Sequence, residues 1–191
     1  MIHIPKRELY ELLKAWGAIA LAFGLVLRPV FDMNFGWVIV ISAITVGIGF
    51  LIHELAHKFA ANYFGKEAFF KADNNMLILA VLMGFIGFVF AAPGAVYIRG
   101  LITKRQNGII SIVGPISNLL LAFLFVPFMF LGGFLFIIGI YGFFINSWLG
   151  LFNMIPVWQF DGAKIWRWNR LYYVMLTFVL LVMSIIGGLM I

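Results

Sequence analysis

The residues able to do chemistry in this 191-residue chain are few, and three of them stand together. The stretch FLIHELAHKFAANYFG, residues 50–65, carries His53, Glu54 and His57 inside an otherwise apolar run. On a helix, positions four apart share one face, so His53 and His57 can bind one metal ion, and Glu54 beside them sits where a general base is needed. Ionisable groups in a membrane-length segment are costly and therefore point to a site. The bland alternative is a pair of buried histidines satisfied by other groups.

Two histidines leave a zinc ion short of a ligand, since catalytic zinc usually takes three protein ligands and a water. His3, Glu8 and Glu11 belong to the N-terminal leader, Asp32 to a loop, and Glu67 and Asp73 to a charged connection. Asp161 differs. It follows a long apolar run in FNMIPVWQFDGAKI, where Pro156 should stop a helix and Asp161-Gly162 should turn the chain. By itself Asp161 reads equally as a metal ligand or as the N-cap of a helix starting near Gly162.

The elements that must position these residues are membrane helices. The chain is 64% hydrophobic and 10% charged, far outside the composition of soluble domains. Long continuous apolar runs, at about 15–31, 37–63, 76–92, 109–130, 134–155 and 171–191, exclude a β-barrel and predict an all-α polytopic membrane protein of five to six spans. A single membrane-embedded domain, 1–191, is expected, with its core at 37–170. The absence of cysteine excludes disulfides and thiolate metal sites. The net charge of +6 fits basic loops on the cytoplasmic side better than nucleic-acid binding.

Basic residues cluster around 6–14, 58–71, 99–105 and 164–170, whereas the Gly132-Gly133 connection is uncharged. If 76–92 crossed the membrane, the 99–105 group would fall on the wrong side. If it dips and returns, all four groups share one side. Five full spans follow, N-terminus inside and C-terminus outside, with 66–105 forming a re-entrant, partly extended element and AVYIR at 95–99 as an exposed strand edge. The helices at 109–130 and 134–155 then form a hairpin that returns the chain to the side of His57 just before Asp161, which favours Asp161 as third ligand. Within that hairpin, Asn118 of GPISN reads either as an interhelical hydrogen bond or as an amide donor to a substrate carbonyl. Asn146 and Asn153 read as interhelical bonds, and KIWRWNRLYY reads as an interfacial anchor.

Together these residues resemble the site-2 protease family of intramembrane zinc metalloproteases. The match consists of His53-Glu54-Leu55-Ala56-His57, then Gly114-Pro115-Ile116-Ser117-Asn118, then Asn153-Met154-Ile155-Pro156 with Asp161-Gly162; Ala163 departs from the second glycine often found there. The resemblance implies one Zn2+ per chain held by His53, His57 and Asp161, Glu54 activating water, and Asn118 facing the reacting carbonyl. It implies extended segments near the site, a transmembrane protein or peptide as substrate, and no nucleic-acid partner. It places the chain in the cell membrane with the site toward the cytoplasm. The chain has no length for the PDZ or CBS domains of many members, so recruitment through them is expected to be absent or supplied by another protein. Oligomeric state is left open. The rival readings are a zinc transporter, which would want polar groups along a path through the spans, and an inactive scaffold, which would not need all four of His53, Glu54, His57 and Asp161.

The charge pattern generates a labelling test, since the native chain offers no thiol. Single cysteines replacing Lys71 and Lys104 should both react with an impermeant maleimide on inside-out vesicles, and one replacing Gly133 on right-side-out vesicles. Labelling of Lys71 and Lys104 positions from opposite sides would mean that 76–92 spans.

Overall fold

The computed structural model describes residues 4–89, 93–157 and 159–191. His3 and the end of the 76–92 run therefore lie outside the described residues, as does the start of the AAPGAVYIRG stretch. The chain is a multi-pass membrane protein. Five helical segments are long and apolar enough to cross a bilayer: Lys6–Leu27, Phe35–Tyr63, Lys104–Phe130, Gly133–Asn153 and Arg170–Met190. The first is helix α1. The second comprises α2 (Phe35–Ser42), a π-helical stretch Ala43–Gly47, and α3 (Ile48–Tyr63).

The π-helical stretch has local causes. A wide turn loosens the backbone ladder and frees a carbonyl for another donor. Trp16 of α1 donates its indole N–H to Ala43 O at 3.1 Å, and Thr45 Oγ1 donates to Ile41 O at 2.7 Å. Gly47 admits the indole, since a Cβ there would lie 2.6 Å from Trp16 Nε1. The widened turn precedes His53 by under two turns and resets the face on which the histidines emerge.

Strand β1 (Ala68–Ala72), helix α4 (Asn74–Gly84) and strand β2 (Gly94–Ile98) follow. The strands pair antiparallel, Ala68 opposite Ile98 and Ala72 opposite Gly94, and Asp73 N–H donates to Pro93 O at 3.0 Å. The two ends of the intervening segment therefore meet. Whatever depth the segment reaches, it comes back. With 11 residues, α4 is roughly 16 Å long, too short for a hydrocarbon core of about 30 Å. Asp73 caps it through Asn75 and Met76 N–H. The expected extended segment at 95–99 is strand β2, one residue earlier, and its partner β1 was not anticipated.

The leader holds this sheet. The apolar pattern predicts a span from about residue 15, yet α1 begins at Lys6. Its first turns place Glu8 and Glu11 along β1: Glu8 Oε1 accepts from Phe70 N–H at 2.9 Å and Glu11 Oε2 from Ala72 N–H at 3.3 Å. Glu8 also pairs with Lys58 of α3, both buried. Phe50 of α3 meets Phe70 edge-to-face at 5.7 Å. The sheet is thus fixed to the histidine helix by an ion pair and an aromatic contact.

The remaining elements are α5 (Lys104–Phe125), a 3-10 turn Val126–Phe130, α6 (Gly133–Asn153), α7 (Asp161–Trp168) and α8 (Arg170–Met190). A capping box of Thr103 and Gln106 starts α5. Helix α6 stops at Asn153, ahead of Pro156, as expected. Asp161 itself is the first residue of α7, with Phe160 as N-cap, so it neither turns the chain nor caps a helix starting at Gly162. Gly162 is required for packing: a Cβ there would lie 2.1 Å from Met154 O.

Glu8→Ala removes the carboxylate paired with Lys58 and the acceptor of Phe70 N–H, and breaking a buried pair costs roughly 3–5 kcal/mol. Glu8→Gln keeps the acceptor. Thermal melting should show a large loss for the alanine variant and a smaller one for glutamine. Amide exchange at Phe70 should accelerate only with alanine.

Candidate metal centre

Helix α3 brings His53 and His57 onto one face, and α7 brings Asp161 against them. His57 Nε2 lies 3.0 Å from His53 Nε2, and Asp161 Oδ2 lies 3.2 Å from His53 Nε2 and 3.0 Å from His57 Nε2. All three residues are buried. Among the described residues they form the group able to hold a metal ion. His57 lies six residues before the end of α3, roughly 9 Å along its axis.

The outer ring nitrogens fix the tautomers. His57 Nδ1 lies 2.7 Å from Ile110 O, and a carbonyl can only accept, so Nδ1 carries the proton. His53 Nδ1 lies 2.6 Å from Asn118 Oδ1. Asn118 Nδ2 donates to Gly49 O at 3.2 Å and to Asn146 Oδ1 at 3.3 Å, which orients the amide oxygen toward His53. Asn146 in turn donates to Gly142 O at 2.9 Å. Both Nε2 atoms consequently present lone pairs to each other and to a carboxylate oxygen. Three acceptors converging at about 3 Å repel one another unless a cation lies between them. Tetrahedral zinc bonds near 2.0–2.1 Å require ligand atoms roughly 3.3 Å apart, so a few tenths of an ångström of outward shift suits the triangle to the ion.

Besides the two imidazoles, Asp161 faces one cation among the described residues, Lys164, one turn along α7. Lys164 Nζ lies 3.3 Å from Oδ1, which leaves Oδ2 for the cluster. Glu54 is buried beside His53 and stands outside the three-atom group.

Two glycines allow the approach. A Cβ on Gly114 would lie 2.5 Å from His57 Nε2 and 2.7 Å from His53 Cε1, so α5 crosses the imidazoles at a distance only glycine permits. Gly49 makes room for the Asn118–Asn146 amides, where a Cβ would meet Asn146 Oδ1 at 2.2 Å. Gly114 belongs to the motif that carries the resemblance, whereas nothing in the sequence marks Ile110 or Gly49. No side-chain signal could have revealed Ile110, because it acts through its carbonyl. Of the two readings of Asn118, the interhelical bond is present, its amide hydrogens lying on Gly49 and Asn146 of neighbouring helices, while the donor role toward a reacting carbonyl, which the resemblance implies, would need one of those bonds released. Asn146 bridges helices as expected, while Asn153 Nδ2 donates within its own helix, to Leu149 O.

Over 174 residues the chain is 40% identical to the "Putative zinc metalloprotease MJ0611" of Methanocaldococcus jannaschii, covering 88% of each. The chain belongs to this zinc metalloprotease family. It is also 32% identical over 143 residues to the "Putative zinc metalloprotease YwhC" of Bacillus subtilis, an alignment covering 64% of this chain and 65% of that one. No protein-family model matches the chain. No solved structure matches it. Zinc is the metal the family names imply, and the donor set of two imidazoles and a carboxylate fits it.

Asn118 generates the test for this centre. Outer partners of metal-binding histidines typically contribute 10–100-fold to affinity. Asn118→Ala should lower zinc affinity by about that factor, and Asn118→Asp, which keeps an acceptor for His53 Nδ1–H, should retain most of it. Competition with a chromogenic chelator measures both. Unchanged zinc affinity in the alanine variant would return Asn118 to a role at the substrate.

Proposed function

We propose that the protein is an intramembrane zinc metalloprotease of the site-2 protease type, hydrolysing peptide bonds within or near transmembrane segments of other membrane proteins. The observation that carries the reading is the convergence of His53 and His57, beside Glu54 on a helix long enough to span a membrane, with Asp161 of the short helix α7. One zinc ion per chain, held by those three residues, would polarise a peptide carbonyl and acidify water in the site. Glu54 takes a proton from the attacking water and delivers it to the leaving amine nitrogen. Asn118 and the Ile110 carbonyl hold the two imidazoles in the tautomer that leaves Nε2 free, and Lys164 holds Asp161.

A helical substrate hides its carbonyls in its own hydrogen bonds and must unwind to be cut. An edge strand can replace the lost bonds. In the two-stranded sheet, Phe70 and Ala72 N–H on the outer side of β1 donate to the carboxylates of Glu8 and Glu11, while among the described residues β2 has β1 as its one strand partner. Pairing along the free side of β2, residues 94–98, would lay an extended peptide against the sheet that packs on the histidine helix. Only Arg28 among the 13 basic residues lies in a connection at the opposite face. That asymmetry supports a site opening toward the cytoplasm of a cell membrane.

Cleavage of a labelled single-span substrate by purified protein with zinc tests the proposal. Glu54→Gln should lower the rate at least 10²–10⁴-fold, as expected for a general base, while retaining zinc. His53→Ala and Asp161→Ala should lose both zinc and cleavage. Equal cleavage by Glu54→Gln and the native protein would remove Glu54 from the mechanism, and a full zinc complement in Asp161→Ala would remove the third ligand.

A further inference from the structure

At the corner where α5, α7 and α8 meet lies an open cavity of about 410 Å³, lined by Lys104, Trp166, Arg167, Trp168 and Arg170. Three cations from two distant parts of the sequence surround it. None of the three has a carboxylate within ion-pair distance among the described residues. No acid is left to supply one. Glu8 and Glu11 bind β1 and the lysines at 58 and 14, Glu67 pairs with Arg99, and Asp73 caps α4. Asp161 and Glu54 belong to the metal centre, and Asp32 lies in the loop at the other face.

The walls of the cavity are held in place. Trp168 backs directly onto α5, where a Cβ on Gly108 would lie 2.3 Å from its ring. The Arg170 guanidinium sits over the Trp166 ring at 5.0 Å. Lys104 and Arg170 are the first residues of α5 and α8, so the positive ends of two membrane-length helices add to the same field. Both spans enter the bilayer here, and indole rings favour that interface.

We infer that this cavity binds a phosphate-bearing anion, with the headgroup of an anionic membrane phospholipid as the ligand its position favours. The guanidinium of Arg167 can take two phosphate oxygens at once, Arg170 and Lys104 supply further charge, and the indoles pack against the glycerol backbone. Basic pockets between membrane helices recognise headgroups in this way. The ligand would rest on α7, whose first residue is Asp161, roughly 9 Å from Arg167 along the helix. Its binding would therefore steady the helix that carries the third metal-site residue. Binding there is independent of proteolysis and is tested without it.

Native mass spectrometry of the full chain in detergent supplies that test. Titration with phosphatidylglycerol should give one saturable lipid adduct per chain, and phosphatidylcholine, with the same phosphate but no net charge, should bind far more weakly. Replacing Lys104, Arg167 and Arg170 together by Gln should weaken the adduct roughly a hundredfold, given the contribution of each basic residue near anionic lipid. Replacing Lys66 and Lys71 by Gln, which removes charge from the same face away from the cavity, should leave it intact. Arg167→Lys and Arg167→Gln singly, each with a melting curve, keep the test decisive should the triple variant fail to fold, with lysine retaining more lipid than glutamine. Inorganic phosphate at millimolar concentration separates the two sources of the anion: failure to displace the lipid supports a headgroup site, and displacement assigns the cavity to soluble phosphate and overturns the lipid. Equal phosphatidylglycerol binding by the triple Gln and Lys66/Lys71 variants would overturn the cavity altogether.

Discussion

Three acceptor atoms held about 3 Å apart in a buried place make up the constraint on which the rest of the structure depends. Two imidazole lone pairs and a carboxylate repel one another, so a fold that gathers them must hold each from behind. The supports are all at hand: a carbonyl on His57, an amide on His53, an ammonium on Asp161. Each support comes from an element other than the one it steadies, except Lys164, which lies one turn along α7 from Asp161. The centre therefore ties α3, α5 and α7 together. Removing any one support would leave the other two holding atoms that repel.

Fitting those supports between closely packed helices explains the small residues around them. Gly114 lets α5 touch both imidazoles, Gly49 admits two amides, and Gly162 lets α7 begin against the end of α6. In the amide chain from His53 through Asn118 and Asn146 to Gly142 O, each side-chain amide nitrogen and oxygen has a hydrogen-bond partner. Such completeness matters, since an unmet buried polar group costs roughly 1–3 kcal/mol. The same rule governs the sheet, whose outer N–H groups at Phe70 and Ala72 would otherwise lack partners and instead meet carboxylates from α1.

Much of this was legible in the sequence. Histidines four apart with a glutamate between them declare a metal face, because helical spacing is fixed. Long apolar runs declare spans, and the basic clusters declare which run turns back. The parts that escaped share a different physics. Glu8 and Glu11 looked like a charged leader, because their partners are backbone N–H groups some sixty residues away, which no side-chain pattern announces. Strand β1 was hidden among charges for the same reason. Ile110 acts through its carbonyl and could not be singled out. Asn118 was visible as a polar residue in a membrane helix, yet whether its amide points toward a substrate or toward a histidine depends on rotations of α5 that composition does not encode. The π-helical stretch is likewise a tertiary effect, with Trp16 taking the carbonyl it frees.

The return of the chain is the step that joins topology to chemistry. His57 lies near one end of α3, and Asp161 Oδ2 lies 3.0 Å from its Nε2. If α5 and α6 both cross the membrane, the segment between α3 and α5 must cross it an even number of times. An 11-residue helix cannot cross once, let alone twice. Backbone bonds enforce the return: five paired positions between β1 and β2, and the Asp73-to-Pro93 bond that closes the loop above them. A sheet with only two strands is marginal by itself, and here it leans on α1 and α3 for its remaining bonds and packing. The charged leader, far in sequence from His53, His57 and Asp161, is thus one of the conditions for Asp161 to arrive on the side where the histidines wait.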